Sequence, residues 1–375
     1  MTAEERLAQI RGLAPEKSPS VRVLSAATAH SDCRVAMLAL ATRTNLDRLC
    51  EGTYFEVAFG QDPQAFQRGQ MFERRVKDHG YGALIQLLRE HAGFPLTSVR
   101  IEDLRSRTPP NMEGLRQRAA ETKRLLRRIA RNAPDAPNII DGAVLTCSIA
   151  GKVAYFEADS LAAAANGRVH VVEIKSFPYT DGRCDPDKLG AASDQAAWYA
   201  LLGRRQLAED EISPDIIAPD GFIIVAQGLG LTPTLLPQNL DARIRRAERL
   251  LETTPDPRQI LAQVPNDLQF PAMNVEPEQR VELLEEILDT VGTAYRPACM
   301  RDCGAARLCR SRAHESSDVA LCGNEIVRQL PGIPTLSRAL ELSEGLPAAP
   351  DEKHVAAGLS LAATVYDRAL RRGAL

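Results

Sequence analysis

The stretch "EADSLAAAANGRVHVVEIKS", residues 157–176, carries two acids at its start and Glu173-Ile174-Lys175 near its end. Side chains alternate along a strand, so Glu173 and Lys175 share one face while Ile174 points the other way into the core. Asn166-Gly167 suits a tight hairpin, because a type I′ turn needs positive φ at both central residues. Antiparallel return across that turn brings Asp159 beside Glu173. Two carboxylates and an amine so grouped are costly to bury without a cation. A hard divalent ion, Mg²⁺ or Mn²⁺, with oxygen ligands and retained waters resolves that cost. It can also stabilise charge on a phosphodiester oxygen, with the lysine helping to orient or deprotonate water. The plainer alternative is a Glu-Lys ion pair on an exposed edge strand, worth ~0–1 kcal/mol. Glu157 shares the face of Asp159 and is either a substitute ligand or part of a solvent-facing pair. Asp141, before "GAVLT", is a further acid, though a turn acid there needs no chemistry.

Three of eight cysteines fall within "CMRDCGAARLC", residues 299–309, a clustering that scattered core cysteines would not produce. In a chain of 375 residues without an export signal, such thiols point to metal ligands or a cluster rather than a disulfide framework. Cys322 is a spare ligand, and Cys33, Cys147 and Cys184 read as packing or incidental thiols.

The elements that must position these groups change texture along the chain. Residues 35–50 and 66–92 have helical apolar spacing. A Pro-Pro break leads to an Arg-rich helix over 111–132, and ten Lys/Arg face four Asp/Glu between Arg100 and Arg131. That helix either tracks phosphates or is a solvated face. Residues 143–174 read as a three-stranded meander, divided at Ala150-Gly151 and Asn166-Gly167. A helix over 191–205 and a buried strand, "GFIIVAQ", follow. Helices return from 239 to the cysteines, and a last amphipathic helix spans 353–372. The order is that of an α/β sandwich.

The acid, hairpin and acid-x-Lys pattern resembles the PD-(D/E)XK nuclease superfamily. Gln195 and Tyr199, four apart in "DQAAWYALL", resemble the Gln-x-x-x-Tyr motif of its RecB-type branch. Gly69 and Glu73 in "RGQMFERRV" resemble that branch's G-x-x-x-(H/E) helix. The resemblance implies an α/β, restriction-endonuclease-like αβββαβ core with added helices. The nuclease domain would span 45–310, with an Arg-rich insertion at about 95–135, an N-terminal extension at 1–44 and a helical C-terminal extension at 311–375. It implies metal ligation by Asp159, Glu173 and the Ile174 carbonyl, with Glu73 as a further catalytic residue. Lys175 would serve the attacking water, and Gln195 and Tyr199 would hold the phosphate backbone or the lysine. Cys50 with Cys299, Cys303 and Cys309 would carry an iron-sulfur cluster of 4Fe-4S type. The spacing C-x3-C-x5-C departs from the usual C-x2-C-x5-C, and zinc on four cysteines is the chemical rival.

Composition narrows the function classes further. The chain is 44% hydrophobic and 25% charged, with a formal net charge of −3. No run approaches the roughly 20 apolar residues of a membrane span, and the N-terminus lacks a secretory apolar block, so a cytoplasmic protein is expected. The expected activity is metal-dependent hydrolysis of single-stranded or end-containing DNA in repair, recombination or anti-phage defence, with other defence or recombination subunits as partners. The alternative is a non-catalytic DNA-binding or assembly subunit that keeps the fold and cluster.

Overall fold

The β-branched runs pair into strands in the computed structural model, which describes residues 2–21, 23–24, 32–57, 63–94, 98–149, 151–164, 167–253, 257–297 and 299–371. The strands are β1 (Ile101–Asp103), β2 (Ile139–Asp141), β3 (Val144–Ile149), β4 (Lys152–Glu157), β5 (Ser160–Ala163), β6 (Val169–Thr180), β7 (Arg183–Cys184), β8 (Asp220–Gln227) and β9 (Thr232–Asn239). The protein is α/β, with a mixed sheet and many helices. Its contacts divide it into two compact units, one of Ser18–Thr28 with Gly60–Thr254, the other of Met1–Lys17, Ala29–Phe59 and Pro255–Leu375.

The first unit holds the sheet, in order β1-β2-β5-β6-β8-β9 with β7 paired to β6. β2, β5 and β6 run antiparallel in succession; β8 lies parallel to β6, and β9 returns antiparallel. The expected single meander over 143–174 is corrected here. β3 and β4 form a separate two-stranded sheet, inserted between β2 and β5. Alternation marks a strand but does not say which sheet receives it. Ala150 and Asn166 lie outside the described residues. Gly167 has φ +76°, the left-handed conformation that its turn position asked of glycine.

A parallel partner for β6 requires a crossover, and the Pro186–Ala208 helix supplies it. Asp185 caps its start by accepting from the Asp187 and Lys188 amides, and Pro186 has no amide to leave unpaired. Ala196, Ala197 and Ala200 are buried, small enough to bring this helix close to the sheet. Phe72, Val76 and Leu84 of the Pro63–His91 helix pack with Val172, Ile174, Phe222 and Ile224 in one apolar cluster. That helix is broken at Asp78–Tyr81 by non-helical backbone, an interruption its apolar spacing did not announce.

The second unit is helical. Its core gathers Leu38 and Val35 from Arg34–Thr42, Leu49 and Cys50 after Leu46–Leu49, and Leu284, Ile287 and Leu288 from Pro277–Val291. Arg280, 3% exposed, fixes the segment around Cys50. Its guanidinium donates to the Leu49 carbonyl at 2.8 Å, to Met273 and Val275 at 3.3 Å, and to the Glu51 carbonyl. Arg280→Met should therefore destabilise this unit by about 2–4 kcal/mol in chemical denaturation, because it strands buried carbonyls. A change within experimental error would show that the segment around Cys50 is held by packing alone. Among the described residues, no helix is long and apolar enough to cross a membrane.

Candidate active site

Register places the two acids opposite each other. Ser160 pairs with Val172 across the β5–β6 hairpin, so Asp159, one residue before β5, faces Glu173. The Asp159 carboxylate accepts from the Ile174 amide at 2.8 Å. Lys175 Nζ lies 2.7 Å from Glu173 and 3.8 Å from Asp159. Ile174 points into the apolar cluster. The structure thus brings Asp159, Glu173 and Lys175 together at the end of one hairpin.

Glu173 is fully buried, and neither of its oxygens is met by a hydrogen bond of good geometry. Lys175 serves it as a close ion pair, not as a well-directed donor. Burial lifts its carboxyl to about 8; Lys175 opposes the rise and Asp159 adds to it. Glu173 therefore keeps its proton in the folded chain at pH values where the unfolded chain has lost it. The resulting stability is complete below the ordinary carboxylate range and is lost as pH rises through about 8. The melting temperature of metal-free protein should fall across that window, by a free energy on the order of a few kcal/mol, and Glu173→Gln should flatten this part of the profile. An unchanged slope in the variant would remove Glu173 as its cause.

Further acids and cations complete the surroundings. Glu73 pairs with Lys77 at 2.6 Å and with Arg105, and Lys77 reaches Asp141 at 2.7 Å. Burial would raise the Glu73 carboxyl, but Lys77 and Arg105 outweigh it and hold it below its ordinary value. Asp141 is buried and accepts from Ser160 Oγ at 2.8 Å. Glu157 binds Arg105 and, at 2.9 Å, Arg118. It is thus part of an ion-pair network rather than a freely solvated pair. Among the described residues, no three His, Cys, Asp or Glu side chains are arranged to hold a metal ion as they stand. Lysine and arginine groups lie among the acids.

Gln195 and Tyr199 do meet, four residues apart on one helix. Gln195 donates to the Tyr199 hydroxyl at 3.0 Å, and that hydroxyl donates to the Glu157 carbonyl at 2.5 Å. Their hydrogen bonds secure the end of β4. The Arg-rich helix, Met112–Ala130, also departs from a free basic face. Arg118 is buried against Glu157, Arg124 pairs with Glu121, Arg127 and Lys123 pair with Asp210, and Arg128 pairs with Asp135.

In the helical unit, Cys33, Cys50, Cys303 and Cys309 adjoin one apolar core, and Cys50 and Cys299 are buried. Burial drives the Cys309 thiol well above its ordinary value, and Cys303, Cys33, Cys299 and Cys50 all act on it electrostatically in the same direction. Cys33, read from sequence as a packing or incidental thiol, packs against this same core and lies near enough to act on Cys309. Gly304 explains how the downstream loop approaches the upstream helix. A Cβ there would stand 2.2 Å from Asp47 Cα, so only glycine permits the contact. Cys147 and Cys184 lie elsewhere, on β3 and β7.

Sequence reasoning missed Arg105, Arg118 and Lys77. The sole signal for Lys77 was its i+4 spacing from Glu73; the arginines had none beyond a basic stretch. No protein-family model matches this chain, and a search of curated proteins returned no match.

Proposed function

We propose that the protein is a metal-dependent nuclease hydrolysing phosphodiester bonds in DNA, on single strands or ends. The observation that carries this reading is Glu173, a fully buried carboxylate lacking directed hydrogen bonds, opposite Asp159 and 2.7 Å from Lys175. A hard divalent ion fits this donor set, because it compensates both acids at once. Asp159, Glu173 and the Ile174 carbonyl would hold Mg²⁺ or Mn²⁺, which supplies an activated water and stabilises phosphate charge. Lys175 holds or moves a proton at the attacking water, Glu73 stands nearby as a further acid, and Tyr199 with Gln195 steadies the strand end that leads to Asp159. The helix, antiparallel strands, crossover helix and parallel strand around the site lend support to this reading.

The grouped thiols of Cys299, Cys303 and Cys309 with Cys50 suit an iron-sulfur cluster, since four soft donors can hold one and close a long loop. In this reading the cluster is structural. Incubation with end-labelled single- and double-stranded DNA in Mg²⁺ or Mn²⁺ tests the activity. Metal-dependent shortening that EDTA abolishes is the expected result. Intact substrate with both ions, despite binding, would favour a non-catalytic DNA-binding subunit.

A further inference from the structure

Resting on the metal-dependent reading above, the geometry points to Arg105 as the phosphate-binding residue of the site, held in place by acids and presenting one nitrogen beside Asp159. Arg105 follows β1, outside the strands and helices that carry the other groups. It contacts Glu73 through one terminal nitrogen and Glu157 through Nε, and its other terminal nitrogen stands 3.7 Å from Asp159. These acids come from the Pro63–His91 helix, from β4 and from the residue before β5. Gly142 makes room for the arginine: a Cβ there would lie 2.4 Å from Arg105 Cγ, and its φ of +63° is one that glycine adopts freely.

The three contacts are unequal. Two close carboxylates fix the plane of the guanidinium, while the Asp159 contact is long for a hydrogen bond. Asp159 is also the acid assigned to the divalent ion. When an ion takes that carboxylate, the arginine loses its weakest partner but keeps its anchors. Its free N–H edge then faces the place where a phosphate oxygen approaches. A planar, permanently charged fork suits a non-bridging phosphate oxygen, and anchoring beforehand reduces the reorganisation needed on binding. Before substrate arrives, the same guanidinium opposes the ion by occupying its neighbourhood. Arg118 and Lys77 do not share this arrangement: Arg118 is buried against Glu157 and the Gly142 carbonyl, and Lys77 is paired with Glu73 and Asp141 and meets Asp159 at its backbone carbonyl, 3.5 Å away, not at its carboxylate.

Two opposed effects follow. Mn²⁺ titrated calorimetrically into the full chain should bind Arg105→Gln several-fold more tightly than wild type, because a competing charge has gone. Single-turnover cleavage of labelled single-stranded DNA by the same variant should fall by about 10²-fold or more. Arg105→Lys keeps the charge but loses the fork, so its Mn²⁺ affinity should stay near wild type while its cleavage falls. A purely structural role would lower metal affinity and melting temperature together. Weaker Mn²⁺ binding in Arg105→Gln, or undiminished cleavage in both variants, would overturn the assignment. Failure of the underlying metal reading looks different: wild type would bind no Mn²⁺, or bind it as well as Asp159→Asn does.

Discussion

Lys175→Ala should retain the fold and lose metal-dependent DNA cleavage by about 10³-fold or more, within the range expected when a positioned proton-handling group is removed. The lysine touches both acids of the site, at 2.7 Å and 3.8 Å, and is only 28% exposed. Burial lowers its affinity for a proton, but Glu173 and Asp159 outweigh burial and raise it, so it stands charged in the metal-free chain. In the proposed site, Asp159 and Glu173 would give up part of this hold on bonding a divalent ion, and the Lys175 amine would then be available to water. Single-turnover kinetics against wild type give the measurement. Cleavage equal to wild type would mean that Lys175 is only a counter-charge for Glu173. Loss of activity with an unchanged melting temperature would show that its role is chemical.

The second large effect concerns the thiols. If the proposed cluster is present, Cys303→Ser and Cys309→Ser should each yield colourless protein with little iron, and the helical unit should lose several kcal/mol of stability. Both cysteines adjoin the core that contains Leu49, Cys50 and Leu308, so an empty site leaves polar groups against apolar ones. Wild-type protein purified anaerobically should show the broad visible absorption of sulfur-to-iron charge transfer. Zinc-loaded, colourless wild type would replace the cluster with a mononuclear site. Among the upstream residues, Cys50→Ser is expected to bleach the protein and Cys33→Ser to leave it coloured. The reverse result would transfer the fourth position to Cys33, which packs against the same core.

The centre of the site was legible in part, because it depends on local geometry. Alternation marks the two polar positions, but a two-residue turn at 166–167 would set Asp159 opposite Ile174; the observed register, with Ala163 opposite Val169, differs by one residue and sets it opposite Glu173. Gln195 and Tyr199 were paired by helical spacing alone. Their partner was not, because the Glu157 carbonyl is supplied by a strand some forty residues earlier. The arginines around the acids show the same limit more strongly. A basic helix in sequence looks solvated, yet the acids that neutralise it, Asp210 and Glu157, lie far along the chain.

Fold details were lost for similar reasons. β9 contains Pro233 and Pro237, which count against a strand, but it flanks β8 alone at the end of the strand order, where a missing amide is tolerated. β1 and β2 have three residues each, too short for alternation to register. The β3–β4 hairpin was seen as strands but assigned to the wrong sheet.

The most direct measurement is Mn²⁺ binding by calorimetry in two buffers of different ionisation enthalpy, on wild type, Asp159→Asn and Glu173→Gln. Wild type should bind the ion at neutral pH with release of about one proton, supplied by the raised Glu173 carboxyl. Both variants should lose that binding. Equal affinity in all three proteins, with no proton released, would contradict a divalent ion held between these two acids.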